Sequence, residues 1–179
     1  MFEGARAYFG LQVAKFQFRK ERDAMQSLTE FFRNAKNVLV MLPIGYEDAA
    51  LAGNALADVC RKRRGLHITA VNFGTWSTSL SGCANCQVVR IDQNEIHRLF
   101  LPKKQALQRI LDRPYDVAVD MNLDFVLHTA YICKASHAKV RVGCAHQAAD
   151  FFFNVQLKFD AAEIRSVAYK HYISRLEMF

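Results

Sequence analysis

No stretch of this sequence approaches the roughly 20 apolar residues that a membrane-spanning helix needs, so no transmembrane segment is expected. The first segment mixes Glu3, Arg6 and Lys15 into its apolar residues and makes no uninterrupted hydrophobic run of the secretory kind, so no signal peptide is expected either. G-x-G-x-x-G and Walker sequences are missing, which disfavours dinucleotide or ATP binding of the usual sort and leaves no cofactor expected. The absence of G-x-S-x-G and H-E-x-x-H removes the corresponding hydrolase and metalloprotease chemistries. Linkers, internal repeats and low-complexity segments are missing too. Cysteines are few, odd in number and scattered: Cys60, Cys83, Cys86, Cys133 and Cys144. Without an export signal they are expected to be reduced thiols in a cytoplasmic setting, several of them serving as small core residues.

What is present is enough for one domain. The chain has 179 residues, 51% of them hydrophobic, and can bury a core without disulfides or metals. Its formal net charge of +7 is compatible with nucleic acid, anionic lipid or an acidic metabolite. A nucleic-acid-binding module is the third alternative the charge suggests, but basic residues are interleaved with acids over most of the chain and no aromatic-basic motif occurs, so a nucleic-acid partner is not expected. The densest basic run, Arg61 to Arg64, ends a predicted helix, where it complements the macrodipole.

Two helical patterns open the chain. The first puts Phe2, Phe9, Val13 and Phe16 on one face, and the second carries Met25, Leu28, Phe31 and Phe32. From Asn37, short apolar runs alternate with helical stretches, as in repeated βα units. The runs are Val38 to Pro43, Leu66 to Phe73, Gln87 to Asp92, Asp116 to Met121 and Val140 to Cys144, followed by Phe153 to Phe159. Helices are expected over Asp48 to Arg64, Lys103 to Asp112 and Phe125 to His137. A terminal helix from Ala161 carries Ile164, Val167, Ala168, Tyr172 and Leu176. Valine-rich, continuously apolar runs suit a sheet covered on both faces. Right-handed crossovers then predict a Rossmann-like, doubly wound, mostly parallel sheet of order 3-2-1-4-5 with an edge strand. The expected organisation is a helical extension over 1–36 and a single α/β domain over 37–179.

In such a sheet ligands bind beyond the carboxyl ends of the strands where the order reverses, here after the first and fourth strands. The first turn supplies Gly45, Tyr46, Glu47 and Asp48. Asp48 either acts as a general base toward a bound hydroxyl or serves the helix N-terminus as a cap. Asn122 and Asp124 after the fourth strand either bind a polar ligand or cap the next helix. His128, one turn into that helix, either points back to the crevice or makes a structural hydrogen bond. His146, beyond the fifth strand, is a further ligand-binding candidate. Cys83 and Cys86 form a C-x-x-C, and Cys144 with His146 offers a second ligand pair. The two pairs belong to opposite ends and edges of the sheet, so no metal site is expected.

The segment Arg113-Pro-Tyr-Asp-Val-Ala-Val-Asp-Met-Asn-Leu, followed by a helix and Ala138-Lys-Val-Arg-Val-Gly143, resembles the N-terminal domain of family 9 glycosyltransferases, the heptosyltransferases of lipopolysaccharide synthesis. The similarity covers roughly Asn37 to Cys144. Over its whole length the chain resembles short single-domain bacterial proteins of unassigned function that carry the same domain. The resemblance implies that the family's catalytic aspartate falls on Asp48, although Glu47 stands where that family has glycine and its helix proline is missing near Asn54. It further implies a sugar-containing or other small-molecule ligand on the acceptor side, no catalysis by this domain alone, or catalysis as a subunit that borrows a donor domain. The leading helix, with Phe2, Phe9 and Phe16 at seven-residue spacing beside Arg6, Lys15, Arg19 and Lys20, is the expected contact surface. Packing on the sheet helices, a protein partner or a second copy is its default use, and interfacial membrane binding the lesser alternative.

Overall fold

The computed structural model describes residues 2–21, 31–63, 65–74, 85–159 and 164–178. Six strands form one parallel sheet: β1 (Asn37–Met41), β2 (His67–Phe73), β3 (Cys86–Ile91), β4 (Val117–Asp120), β5 (Val140–Cys144) and β6 (Val155–Leu157), in the order β3-β2-β1-β4-β5-β6. β1 lies at the centre, pairing Val38 with Ile68 of β2 on one side and with Val117 of β4 on the other. The architecture is Rossmann-like, as expected, with the sixth strand at the edge.

Helices cover both faces: α1 (Phe2–Gln17), α2 (Phe31–Asn34), α3 (Tyr46–Lys62), α4 (Lys104–Ile110), α5 (Leu127–Ala135) and α6 (Arg165–Glu177). Alternation along β1 divides the core. Val38, Val40 and Leu42 point toward Leu56 and Val59 of α3 and Tyr169, Tyr172 and Leu176 of α6. Leu39 and Met41 point the other way, toward Ala14 of α1, Ile110 of α4 and Ala130 of α5. On α3 the buried Ala49, Ala52, Leu56 and Val59 recur at helical spacing, which is why that segment folds as a helix against a sheet. Among the described residues no helix is long and apolar enough to cross a membrane.

Several boundaries differ from expectation. The run Phe153 to Phe159 shrinks to β6, because Phe153 turns into the core beside Phe152 before pairing begins. The terminal helix buries Ala168, Tyr169, Tyr172, Ile173 and Leu176, while Ile164 and Val167 face outward. Met25, Leu28 and Cys83 lie outside the described residues, as does Arg64. Arg63 does more than complement a dipole: its guanidinium donates to the carbonyls of Phe32 (2.7 Å) and Arg33 (2.6 Å), satisfying the end of α2. The expectation of reduced thiols holds for Cys86, Cys133 and Cys144, whereas Cys60 is disulfide-bonded. Spacing in sequence carries no information about which thiols meet in space.

The Arg-x-Gly at the end of the resemblance has a structural purpose. Arg141, buried in β5, donates through Nε to Phe152 O (2.8 Å) and through Nη1 to Ala138 O (2.9 Å), while its backbone N–H donates to Asn154 Oδ1 (2.7 Å). Gly143 leaves room for the Phe153 ring, into which any β-carbon would run. Gly143→Ala is therefore expected to destabilise the fold by about 1–3 kcal/mol through overpacking. Gly4→Ala, in an exposed helical position with open space around it, is expected to add up to about 1 kcal/mol. Urea unfolding of both variants measures the contrast.

Candidate functional site

The carboxyl ends of β1 and β4 meet at the point where the strand order reverses, and a buried carboxylate organises them. Asp120 closes β4 and is almost inaccessible. Its Oδ1 accepts the Asn122 backbone N–H (3.1 Å) and the Asn122 side-chain amide (2.7 Å). Its Oδ2 accepts the Thr129 hydroxyl (2.6 Å), for which Val126 O at 2.9 Å is a second acceptor. Burial outweighs these hydrogen bonds and raises the Asp120 pKa to about 6. Asn122 Oδ1 in turn accepts the Ile44 N–H (3.2 Å), joining the two turns. The backbone carbonyl of Asp120 accepts the buried Tyr172 hydroxyl (2.6 Å) from α6.

The other predicted residues spread along this edge. Gly45 is the N-cap of α3 and offers no capping side chain; Tyr46 and Glu47 are exposed at its first turn. Asp48 Oδ2 accepts Arg165 Nη1 at 2.5 Å, an ion pair that ties the start of α3 to the start of α6. Tyr169, one turn beyond Arg165, is buried in the field of Asp48 and Arg165, and burial raises its pKa. Asp124 is exposed and three residues short of α5, whose N-cap is Val126, so neither it nor Asn122 caps that helix. His146 stacks on Phe125 (4.9 Å between centroids, planes 10° apart) and accepts the Ala148 N–H through Nδ1 (3.1 Å). Cys86 opens β3 and Cys144 closes β5, at opposite ends of strands near opposite sides of the sheet; among the described residues no cluster of three potential metal ligands forms.

The concavity lies to one side of the switch point. A pocket of about 490 Å³ opens over the ends of β2 and β3, lined by Ile44, Phe73, Ile91, Phe100 and Ile96, with Arg6, His97, Arg98, His128, Asp92 and Gln93 supplying its polar groups. Of the residues considered from the sequence, His128 reaches it, and Asp48, Asn122, Asp124 and His146 are not in its wall. The His128 ring sits edge-on to Phe73 (4.8 Å), and burial lowers its pKa to about 4, so it faces the pocket uncharged at neutral pH. Arg6 of α1 donates through Nε to Arg98 O (2.7 Å), with its guanidinium 5.4 Å from the centre of the Phe100 ring.

The loop that carries His97, Arg98 and Phe100 is braced rather than loose. Asp92 and Glu95 form a capping box, a D-x-x-E spacing visible in the sequence. Arg109 of α4 clamps Glu95 through two nitrogens (2.8 and 3.1 Å) and donates to Arg90 O (2.7 Å). That bond from Arg109 holds the Glu95 carboxyl below its usual range. A bridge between Ile96 and Pro102 closes the loop, with Phe100 at φ 58°. Chemically the pocket offers two guanidinium groups and two imidazoles against one carboxylate, over an apolar floor. An anionic group on a partly apolar body suits it.

No protein-family model matches the chain, and no curated protein matches it. Solved structures do. The chain is similar to the heptosyltransferase WaaC of E. coli with ADP, at a TM-score of 0.59 and 16% identity over 78% of this chain and 46% of that one. It is similar to the same enzyme with ADP-2-deoxy-2-fluoro heptose, at 0.61 and 14% over 78% and 47%. A family 9 glycosyltransferase from Veillonella parvula gives 0.63 and 16% over 87% and 44%. At such identities the likeness is one of fold, and the chain spans less than half the length of each of these proteins.

Asp120 and His128 act on stability with opposite signs. The carboxyl of Asp120 ionises near 3.8 when unfolded and near 6 when folded, so the folded chain binds the extra proton and stability falls as pH rises through that window. His128 titrates near 6.5 unfolded and near 4 folded, so its contribution rises over pH 4 to 6.5. Each is worth up to about 3 kcal/mol at ~1.36 kcal/mol per pH unit, less for His128, whose ring keeps an edge on the pocket and its water. Unfolding free energies from pH 4 to 7 are expected to show wild type losing ground to Asp120→Asn and gaining on His128→Gln. Flat differences for both would remove the argument.

Proposed function

We propose that this chain is a ligand-binding domain of the glycosyltransferase acceptor-side type, which holds an anionic, sugar-containing ligand at the carboxyl edge of its sheet and by itself transfers no sugar. The observation that carries this reading is the pocket of about 490 Å³ over the ends of β2 and β3, in a fold shared with heptosyltransferases. Ligands of open α/β sheets bind at that edge. Arg6 and Arg98 supply the charge for a phosphate or carboxylate, His97 and His128 supply further donors, and Phe73 and Phe100 supply apolar walls.

Two features support a binding role over catalysis. Asp48, the residue on which the family's catalytic aspartate falls, is held by Arg165 and stands outside the pocket wall. Sugar transfer also requires donor and acceptor to be positioned together, an advantage worth up to about 7–11 kcal/mol of the barrier. General-base assistance contributes about 10² to 10⁴ in rate and does not replace it. A subunit that completes a transferase with another chain's donor domain is the second reading, favoured by the place of Asp48 beside the switch point.

Thermal-shift screening of phosphosugars, lipid-linked sugars and nucleotide-sugars tests the proposal. An anionic sugar at a hundred times its dissociation constant is expected to add about 2.7 kcal/mol of stability, with the gain lost in Arg98→Ala. Donor consumption assayed with ADP-heptose and with UDP- and GDP-sugars is expected to be nil for wild type and for Asp48→Asn. Turnover that Asp48→Asn abolishes would replace the binding domain with the transferase subunit.

A further inference from the structure

α1 is fastened to the body along one strip and exposes aromatic residues beside it. The fastened face is made of Gly10, whose missing side chain lets the helix rest on the Leu99 carbonyl, and of the buried Ala14. Just past the helix Phe18 packs its ring on Tyr131 (4.9 Å), whose hydroxyl donates to Gln17 Oε1 (2.8 Å). At 3.6 residues per turn, Phe9, Val13 and Phe16 fall within about 60° of arc, centred about 110° round the helix from Gly10 and Ala14. They are open to solvent: Phe9 is 61% exposed and Phe16 65%, with Tyr8 at 61% on the flank. An ordinary surface helix leaves no such apolar stripe in solvent.

The charge around this ridge has one sign. Between Glu3 and Glu21 the sequence holds no acidic residue, while Lys15, Arg19 and Lys20 fall in its C-terminal part. The Arg19 guanidinium lies 3.7 Å from the centre of the Phe16 ring, placing a cation directly beside exposed apolar surface. α1 carries one carboxylate, Glu3 in its first turn, against Arg6 and Lys15, with Arg19 and Lys20 just beyond, so two copies paired through α1 would keep a net positive charge that an anionic surface neutralises.

We infer that α1 is an interfacial anchor for an anionic phospholipid surface. Phe9, Val13 and Phe16 enter the boundary between headgroups and acyl chains, and Lys15, Arg19 and Lys20 meet lipid phosphates. The helix lies flat: at 1.5 Å per residue its 16 residues span about 24 Å along the surface. The inference does not depend on what the pocket binds.

Flotation of the full chain with phosphatidylcholine vesicles, with and without phosphatidylglycerol, tests it. The protein is expected to float with the anionic vesicles and to remain largely free with the neutral ones. Phe9→Ser with Phe16→Ser is expected to weaken binding at least about tenfold, and Lys15→Gln with Arg19→Gln and Lys20→Gln about 100-fold. The aromatic positions are exposed and off the fastened face, so the unfolding midpoint of the first variant should match wild type. The charge variant, which leaves the ridge intact, is an independent test. Failure to float with anionic vesicles, equal flotation with neutral ones, or binding undiminished in both variants overturns the inference. So does a wild-type dimer in sedimentation equilibrium that the aromatic substitutions dissociate, because a second copy would then be the occupant.

Discussion

The structure depends on a buried carboxylate to which no cation among the described residues is bonded. Asp120 sits at the end of β4 in a nearly dry environment, where an ionised group is costly unless hydrogen bonds replace its water. Those bonds come from close by in sequence, from Thr129 in α5 and from Asn122, and Asn122 relays the contact to the remote Ile44 after β1. Tyr172 of α6 closes on the carbonyl of the same residue. One position thus joins both switch-point turns and one helix from each face of the sheet. A network of this kind rewards only the arrangement in which every member is satisfied, which favours one fold over near alternatives.

This knot also divides the sheet's carboxyl edge. On the α3 and α6 side, Asp48 and Arg165 close the surface with an ion pair. On the α1, α4 and α5 side the chain after β3 rises in a braced loop, and the space between that loop, α1 and the ends of β2 and β3 is the pocket. The pocket lies toward one edge, while at the strand reversal Asn122 is buried between the two turns. The resemblance to glycosyltransferase sequences therefore concerns the scaffold most directly. Its Tyr115 donates to Ile110 O (2.6 Å), its Asp116 carboxylate accepts the backbone N–H groups of Lys36 and Asn37 where β1 begins, and its Arg141 and Gly143 shape β5.

α1 joins the two functional proposals in one piece of structure. Arg6 contributes to the pocket wall and Phe9, one turn later, to the exposed ridge. The helix is held by close backbone approach at Gly10, by Ala14 and by Leu11 against the core, which leaves Phe9 and Phe16 for outside contacts.

The βα order was legible in the sequence because the strands are apolar on both faces and the helices repeat at 3.6 residues; together with the handedness of crossovers this determines the order β3-β2-β1-β4-β5 with an edge strand. The strength of an apolar stripe was legible too, but not its direction. Phe9, Val13 and Phe16 read as a face that must be covered, and only tertiary packing shows that small residues on a neighbouring strip hold α1 in place. Asp48, Asn122 and Asp124 were recognisable as polar residues beside a reversal, yet Asp48 meets Arg165, 117 residues away, Asn122 joins Asp120, 2 residues away, to Ile44, 78 away, and Asp124 does not cap α5. Arg6, Arg98 and His128 come together from separate elements with no shared motif. Local pattern determines which segments become strands and helices, since each obeys its own periodicity. Which side chains meet across the sheet's edge is decided by the length and path of the connections, and that is a property of the folded chain alone.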